Sequence, residues 1–117
     1  MKSKLFFILF FVGFSCFSQL PEGFIDVEKV IPDITVELRY HTSNNFVGTP
    51  IDGYQANTLI LTKEAAYALQ QVQEELENQN LCLKVYDGYR PQRAVNHFMR
   101  WARNLNDTIN KKIFYPN

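Results

Sequence analysis

Five consecutive residues, Asp87-Gly88-Tyr89-Arg90-Pro91, carry the most specific chemistry in the chain. An arginine offers a planar, permanently charged fork that can grip an oxyanion with one edge while another edge pairs with a carboxylate. Asp87, three positions before Arg90, is suited to that pairing. Held where a strand passes through a tight turn into a helix, such a guanidinium can stabilise charge that develops in a transition state. The same residue types also make an ordinary ion pair that closes a turn, and ion pairs at element ends are common without being catalytic. Residue types alone leave both readings open.

The other groups with reactive or ligating side chains are sparse. The two histidines are His41 and His97, and the two cysteines are Cys16 and Cys82. Catalytic zinc generally needs three well-placed protein ligands, and nothing in the spacing of His97, Asp87 and Cys82 favours a site built from them. The two histidines read as surface or hydrogen-bonding residues, and Cys82 as a small buried hydrophobe. Neither a phosphate-cradling glycine loop nor a Ser-His-Asp arrangement can be assigned. Asn106-Asp107-Thr108 matches a glycosylation sequon, relevant only to a eukaryotic secretory route.

The elements that must position Asp87 and Arg90 follow from periodicity. From Ile34 to His41 apolar and polar residues alternate, with Ile34, Val36, Leu38 and Tyr40 on one side, which predicts a half-buried strand. Thr42 to Asn57 contains Gly48, Pro50 and Gly53 and reads as a long loop of the kind that often carries function. Thr62 is a candidate N-cap for a helix running to about Asn78, with Ala65, Leu69, Val72 and Leu76 as its apolar stripe and Gln70, Gln71, Glu74, Glu75 and Glu77 on the solvated side. Leu81, Leu83 and Val85 then alternate with Cys82, Lys84 and Tyr86 as a second strand. Pro91 suits the first position of a second helix, whose buried stripe is Ala94, Phe98, Ala102 and Leu105, widened by Val95 and Met99. The expected fold class is α+β.

At the N-terminus, Lys2 and Lys4 precede an apolar run from Leu5 to Phe14 and then Ser15-Cys16-Phe17-Ser18. That is the layout of a secretory signal, with cleavage placed before Gln19. The run is too short for a comfortable bilayer span. Acylation of Cys16 is the alternative, although Gly13 and Phe14 fit a lipobox poorly. Removal of residues 1–18 leaves Cys82 as a lone cysteine in an exported chain, without an internal disulfide partner.

The whole sequence has 117 residues, a length suited to one domain, and is 46% hydrophobic and 21% charged, a globular balance. Twelve basic residues balance twelve acidic ones, so no net field draws the chain to nucleic acid or to an acidic membrane. The C-terminal third is nonetheless basic, with Lys84, Arg90, Arg93, Arg100, Arg103, Lys111 and Lys112 against Asp87 and Asp107. A solvated helix face explains this better than a nucleic-acid contact does, and Trp101 beside it reads as packing rather than a stacking platform.

The order Tyr40, Asn45-Phe46, Gly48, Gly53-Tyr54, then Asp87-Gly88-Tyr89-Arg90-Pro91 and Ala94-Val95, resembles the zinc D-alanyl-D-alanine dipeptidases, the family of the vancomycin-resistance dipeptidase. The resemblance runs from about Val27 to Tyr115-Pro116-Asn117. It implies a metallopeptidase that cleaves the D-Ala-D-Ala dipeptide and a hedgehog/D,D-peptidase-like fold. In that family zinc activates a water, a glutamate takes its proton, and an arginine stabilises the oxyanion. The resemblance implies that Arg90 is that arginine, that Asp87 orients it, and that Tyr40 and Tyr54 wall the substrate pocket. Tyr86, Tyr89, Asn45 and Phe46 read as scaffold.

The family's zinc module, Ser-x-His-x-x-Gly-x-Ala-x-Asp, lies downstream of its Tyr-Pro-Asn segment, and its Glu-x-x-His element further on. Neither pattern occurs in this sequence. The expectation is therefore the N-terminal half of the dipeptidase domain over residues 19–117, with two main helices and a small incomplete sheet. Zinc would belong to the complete enzyme and not to this chain, which would be inactive alone and prone to self-association through unpaired edges. Two functional classes follow: a D-Ala-D-Ala dipeptidase, or a non-catalytic exported module that binds D-Ala-terminated peptides or persists as a structural remnant. A D,D-carboxypeptidase of the same superfamily is less favoured by the Asn45-Phe46 and Asp87–Pro91 set.

Overall fold

A computed structural model describes residues 19–117. The expected signal segment, its Cys16 and its last residue Ser18 lie outside the described residues. The fold is mixed α+β, with two main helices and two small sheets of two strands each in place of the single incomplete sheet expected.

The first sheet pairs β1 (Phe24–Asp26) antiparallel with β3 (Ile60–Thr62), in the register Phe24 to Thr62, Ile25 to Leu61 and Asp26 to Ile60. Neither strand was anticipated, because three residues are too few to show an alternating pattern. The second pairs β2 (Thr35–Val36) parallel with β4 (Lys84–Val85). Both of its strands are shorter than periodicity predicts. The pairing ends where the Glu37 N–H donates to the Val85 carbonyl at 2.9 Å. Beyond Val85 the chain leaves for β3, where the Tyr89 N–H donates to the Ile60 carbonyl at 2.7 Å. Deprived of a partner, the residues after Leu38 coil into a 3₁₀ turn, Arg39–His41. The Asp87-Gly88-Tyr89 segment accordingly forms no tight turn.

Helix α1 (Lys63–Glu77) starts as expected, with the Thr62 hydroxyl accepting from the Ala65 N–H at 3.3 Å and Asn78 as C-cap. Its buried face is turned from the anticipated stripe. Ala66 and Gln73 are buried, Leu69, Gln70 and Leu76 half-buried, and Ala65 and Val72 exposed. Gln73 is inside because it is satisfied there: its Oε1 accepts from the Leu83 N–H at 2.9 Å and its Nε2 donates to Glu77 at 2.8 Å. Gln70 leaves the solvated side to donate to the Val30 carbonyl at 3.1 Å. Together these amides tie α1 to Val30 and to Leu83, the residue before β4. Cys82 is exposed, contrary to the expected burial, with its Sγ 3.4 Å from the Asp33 carbonyl.

Val27, Ile31, Ile34, Leu38, Leu59 and Ala66 form the core, with Leu69, Leu83 and Val85 packed against it. Helix α2 (Gln92–Ala102) has Pro91 as its N-cap residue, one position earlier than expected. Its buried stripe is narrow. Ala94 is fully buried and Phe98 half-buried, while Val95, Met99, Ala102 and Leu105 are exposed. A short helix α3 (Lys111–Phe114) follows, folded back so that Tyr115 packs edge-on against Trp101 at 5.7 Å. Among the described residues no helix is long and apolar enough to cross a membrane.

Candidate active-site cluster

The segment that leaves β4 carries Asp87 and Arg90 past the first sheet, and Gly88 makes that passage feasible. A Cβ on Gly88 would lie 2.6 Å from the Ile60 carbonyl oxygen and 2.7 Å from Leu59 Cδ1. Glycine is needed here for close approach, and the bond from Tyr89 to Ile60 locks the segment in place.

The long loop is built around Asn45, which is 2% exposed. Its Nδ2 donates to the carbonyls of Thr42 at 2.7 Å and Thr49 at 2.8 Å, and its Oδ1 accepts from the N–H groups of Val47 and Gly48. One amide side chain thus replaces the ladder that a loop lacks. The far end of the loop is held on α2, where Asp52 accepts from Arg100 at 2.6 Å and its N–H lies 3.1 Å from His97 Nδ1. The Arg100 hydrogen bond holds the Asp52 carboxyl below its ordinary value of 3.8. Gly53, at φ +94, packs beneath Pro91 and turns the chain so that Tyr54 points to Asp87.

The four residues singled out by the sequence meet in one cluster. The Tyr54 hydroxyl donates to Asp87 Oδ1 at 2.9 Å, and Arg90 Nη2 donates to Asp87 Oδ2 at 2.8 Å. The guanidinium lies over the rings of Tyr40, 5.3 Å to the centroid, and Phe98, 5.1 Å. The Tyr40 and Tyr54 rings are 5.7 Å apart. Burial, and then the hydrogen bond to Asp87, pushes the Tyr54 phenol well above its ordinary value of 10.0, so it remains a donor at neutral pH. The Asp87 hydrogen bond raises the Arg90 guanidinium further above its ordinary range. With its lone pairs engaged from two sides, Asp87 fixes the direction of Arg90.

Two cavities flank the cluster, and Asp87 borders both. One, of about 270 Å³, also touches Tyr40, Phe46, Tyr86, Arg39 and Phe114. The other, of about 440 Å³, touches Tyr54, Tyr89, Pro91, Lys29 and Asp26. The two tyrosines expected to wall one pocket therefore border different ones. Arg90 borders neither, and 44% of its side chain is exposed on the open side of the Tyr40 and Phe98 rings.

Two participants were not read from the sequence as site residues. Phe98 forms the floor under Arg90, and Arg39 lies 4.4 Å above the Tyr86 ring while pairing with Glu37 at 3.0 Å. The periodicity of α2 puts Phe98 in a core stripe, yet Phe98 and Trp101, three apart on α2, both reach Phe46, at 5.3 and 4.9 Å. That spacing was the available signal. Asn45 and Phe46 hold the loop and the ring stack. Tyr89 packs on Phe24 at 5.4 Å, and Tyr86 is covered by Arg39.

The zinc implied by the resemblance does not fit the residues present. Among the described residues no group of three His, Cys, Asp or Glu could hold a metal ion. His41 Nδ1 is 3.0 Å from the Tyr54 carbonyl, which can only accept, so this nitrogen carries the proton and supports the loop. His97 Nδ1 is taken up by Asp52.

Residues 21–117 match the family model described as D-ala-D-ala dipeptidase. The chain belongs to the D-Ala-D-Ala dipeptidase family. It is 38% identical over 95 residues to the D-alanyl-D-alanine dipeptidase of Enterococcus faecium, covering 81% of this chain and 47% of that protein. With the Streptomyces coelicolor D-alanyl-D-alanine dipeptidase it is 42% identical over 94 residues, covering 80% and 46%. The Enterococcus faecalis enzyme is 37% identical over 98 residues, covering 84% and 48%. This D-Ala-D-Ala dipeptidase family chain thus spans about half the length of the curated relatives it matches.

Proposed function

We propose that the chain supplies the arginine side of a site that hydrolyses the D-alanyl-D-alanine dipeptide, with Arg90 as the group that stabilises the oxyanion. The observation that carries this reading is the linked set Tyr54–Asp87–Arg90 laid over Tyr40 and Phe98. One edge of the guanidinium is committed to Asp87, and its exposed side is where a substrate oxygen would be met. A donor set fixed before the substrate arrives needs no reorganisation as negative charge develops. Tyr54 contributes by holding Asp87, and the aromatic rings keep one face of the guanidinium dry. In the complete family enzyme zinc would supply an activated water, and residues other than those described would hold it.

The relatives' names and the family match support the substrate, and the length covered makes the other half of the domain part of the test. The chain joined to the segment of the Streptomyces coelicolor enzyme that it does not match is expected to release D-alanine from D-Ala-D-Ala. In that protein Arg90→Ala lowers kcat by about 10²–10³, the usual loss of one oxyanion donor. Arg90→Lys restores little, since an ammonium has no planar fork with which to hold Asp87 and a substrate oxygen at once. A kcat unchanged by Arg90→Ala would overturn the assignment, and a change in KM alone would make Arg90 a ground-state binder. Heat of D-Ala-D-Ala binding to the chain in metal-free buffer, without D-alanine release, would favour the non-catalytic binding module instead.

We also infer export. Lys2 and Lys4 before the Leu5–Phe14 run support a cleavable signal, and the family match begins at residue 21, just beyond the expected cleavage before Gln19. On this reading the site works on the cell-wall side of the membrane.

A further inference from the structure

Gly53 is the weak point of the loop that carries Tyr54. Its φ of +94 lies where glycine moves freely, so its own backbone preference does not fix the direction of the next residue. Tyr54 must nonetheless keep its hydroxyl on Asp87 at 2.9 Å. Both histidines of the chain act at this spot, one on each side of Gly53. From the 3₁₀ turn, His41 Nδ1 donates to the Tyr54 carbonyl at 3.0 Å. From α2, His97 Nδ1 accepts from the Asp52 N–H at 3.1 Å. Neither ring is a free surface group: 19% of the His97 side chain is exposed, and His41 is half-buried. The further hold on Asp52, its pair with Arg100, has 59% of the arginine side chain exposed, and such surface pairs contribute little. The backbone partners also dictate opposite tautomers. A carbonyl only accepts and an amide N–H only donates, so His41 carries its proton on Nδ1 and His97 on Nε2.

We propose that His41 and His97 are positioning residues for the hydrolytic site and act through Tyr54. Together they clasp the turn at residues 52–54, so that the Tyr54 hydroxyl holds Asp87 and Asp87 in turn aims Arg90. Their effect on turnover rests on Arg90 being the oxyanion donor, whereas the clasp itself does not.

The bonds are read first by NMR of the full chain, with isotope-labelled histidine nitrogens in mildly alkaline buffer and each ring assigned from His41→Asn and His97→Asn. The expected spectrum has the proton on Nδ1 for His41 and on Nε2 for His97. The Tyr54 ring resonances are expected to move in His41→Ala and in His97→Ala and to return in the two asparagine variants. Asparagine carries its amide nitrogen and oxygen as far from the backbone as Nδ1, and serves as donor at 41 and acceptor at 97. Glutamine sets them one bond further out and is expected to rescue neither position.

Turnover is read in the chain joined to the Streptomyces coelicolor segment. There each alanine variant is expected to lower kcat about 10- to 100-fold with KM nearly unchanged, the scale of a slightly misplaced group. In a Tyr54→Phe background the same changes are expected to add no further loss, because the path to Asp87 is already cut. A protein merely loosened by the substitutions would lose activity in both backgrounds alike. A proton on Nδ1 of His97 would mean an ion pair with Asp52 Oδ1, 3.3 Å away, in place of a hold on the backbone. That result, no proton on Nδ1 of His41, an unmoved Tyr54 ring, rescue by glutamine, or additive losses with Tyr54→Phe would each overturn the proposal. Failure of the oxyanion reading shows separately, as a kcat insensitive to Arg90→Ala.

Discussion

Asn45 and Asp87 show how much of the structure depends on single polar groups. Asn45 is buried and satisfies carbonyls and amides from both limbs of the long loop. Asn45→Ala leaves those groups without partners inside the protein, and a loss of about 3 kcal/mol of unfolding free energy in a urea titration is expected. An Asn45→Ala chain as stable as the parent would mean the loop is held by its ends. The charged groups behave differently, being only partly buried. Glu37 lies below its ordinary 4.5 because Lys84 and then Arg39 donate to it, and Asp52 lies low because of Arg100. A carboxylate depressed on folding stabilises the native state above its unfolded value and loses that contribution as the pH falls through its folded value. The melting temperature is thus expected to hold down to about pH 4.5 and to decline below it. Glu37→Gln is expected to soften that decline, and high salt to do the same, since surface pairs are screened. An identical acid limb in Glu37→Gln would remove this pair from the account.

At the scale of elements, the decisive feature is a handover between two very short sheets. β4 stays with β2 for two residues and then gives its continuation to β3, which is why Gly88 sits against Ile60. Gly88→Ala forces a methyl against a carbonyl oxygen and a core leucine, and a destabilisation of about 1–3 kcal/mol is expected from chemical denaturation. The same variant should reduce the dipeptide hydrolysis of the joined protein, because Asp87 and Arg90 ride on that segment. Full activity with Gly88→Ala would show that the site tolerates movement of its strand. The helix start at Thr62 was legible because a cap is a local event, one hydroxyl meeting one N–H three residues on. The buried face of α1 was not, since Gln73 is admitted to the core by Leu83, a partner ten residues away in another element.

For the whole molecule, the signal reading makes a direct prediction: protein recovered from outside the cytoplasm begins at Gln19, as read by mass spectrometry of its N-terminal peptide. Acylation at Cys16 would appear instead as a mature chain beginning at that residue. The α+β class, both main helices and the chain's membership of a dipeptidase family were present in the amino-acid order, because caps, stripes and the Asp87–Pro91 motif are written in contiguous residues. The gathering of Tyr40, Tyr54, Asp87 and Arg90 required the loop, the strand handover and α2 to be set against one another. So did the division of the two tyrosines between separate cavities and the role of Phe98 beneath the guanidinium. Local order is set by each residue's own backbone preferences and nearest neighbours. Convergence of side chains from distant positions depends on which pairings satisfy buried polar groups, and only tertiary packing chooses among those.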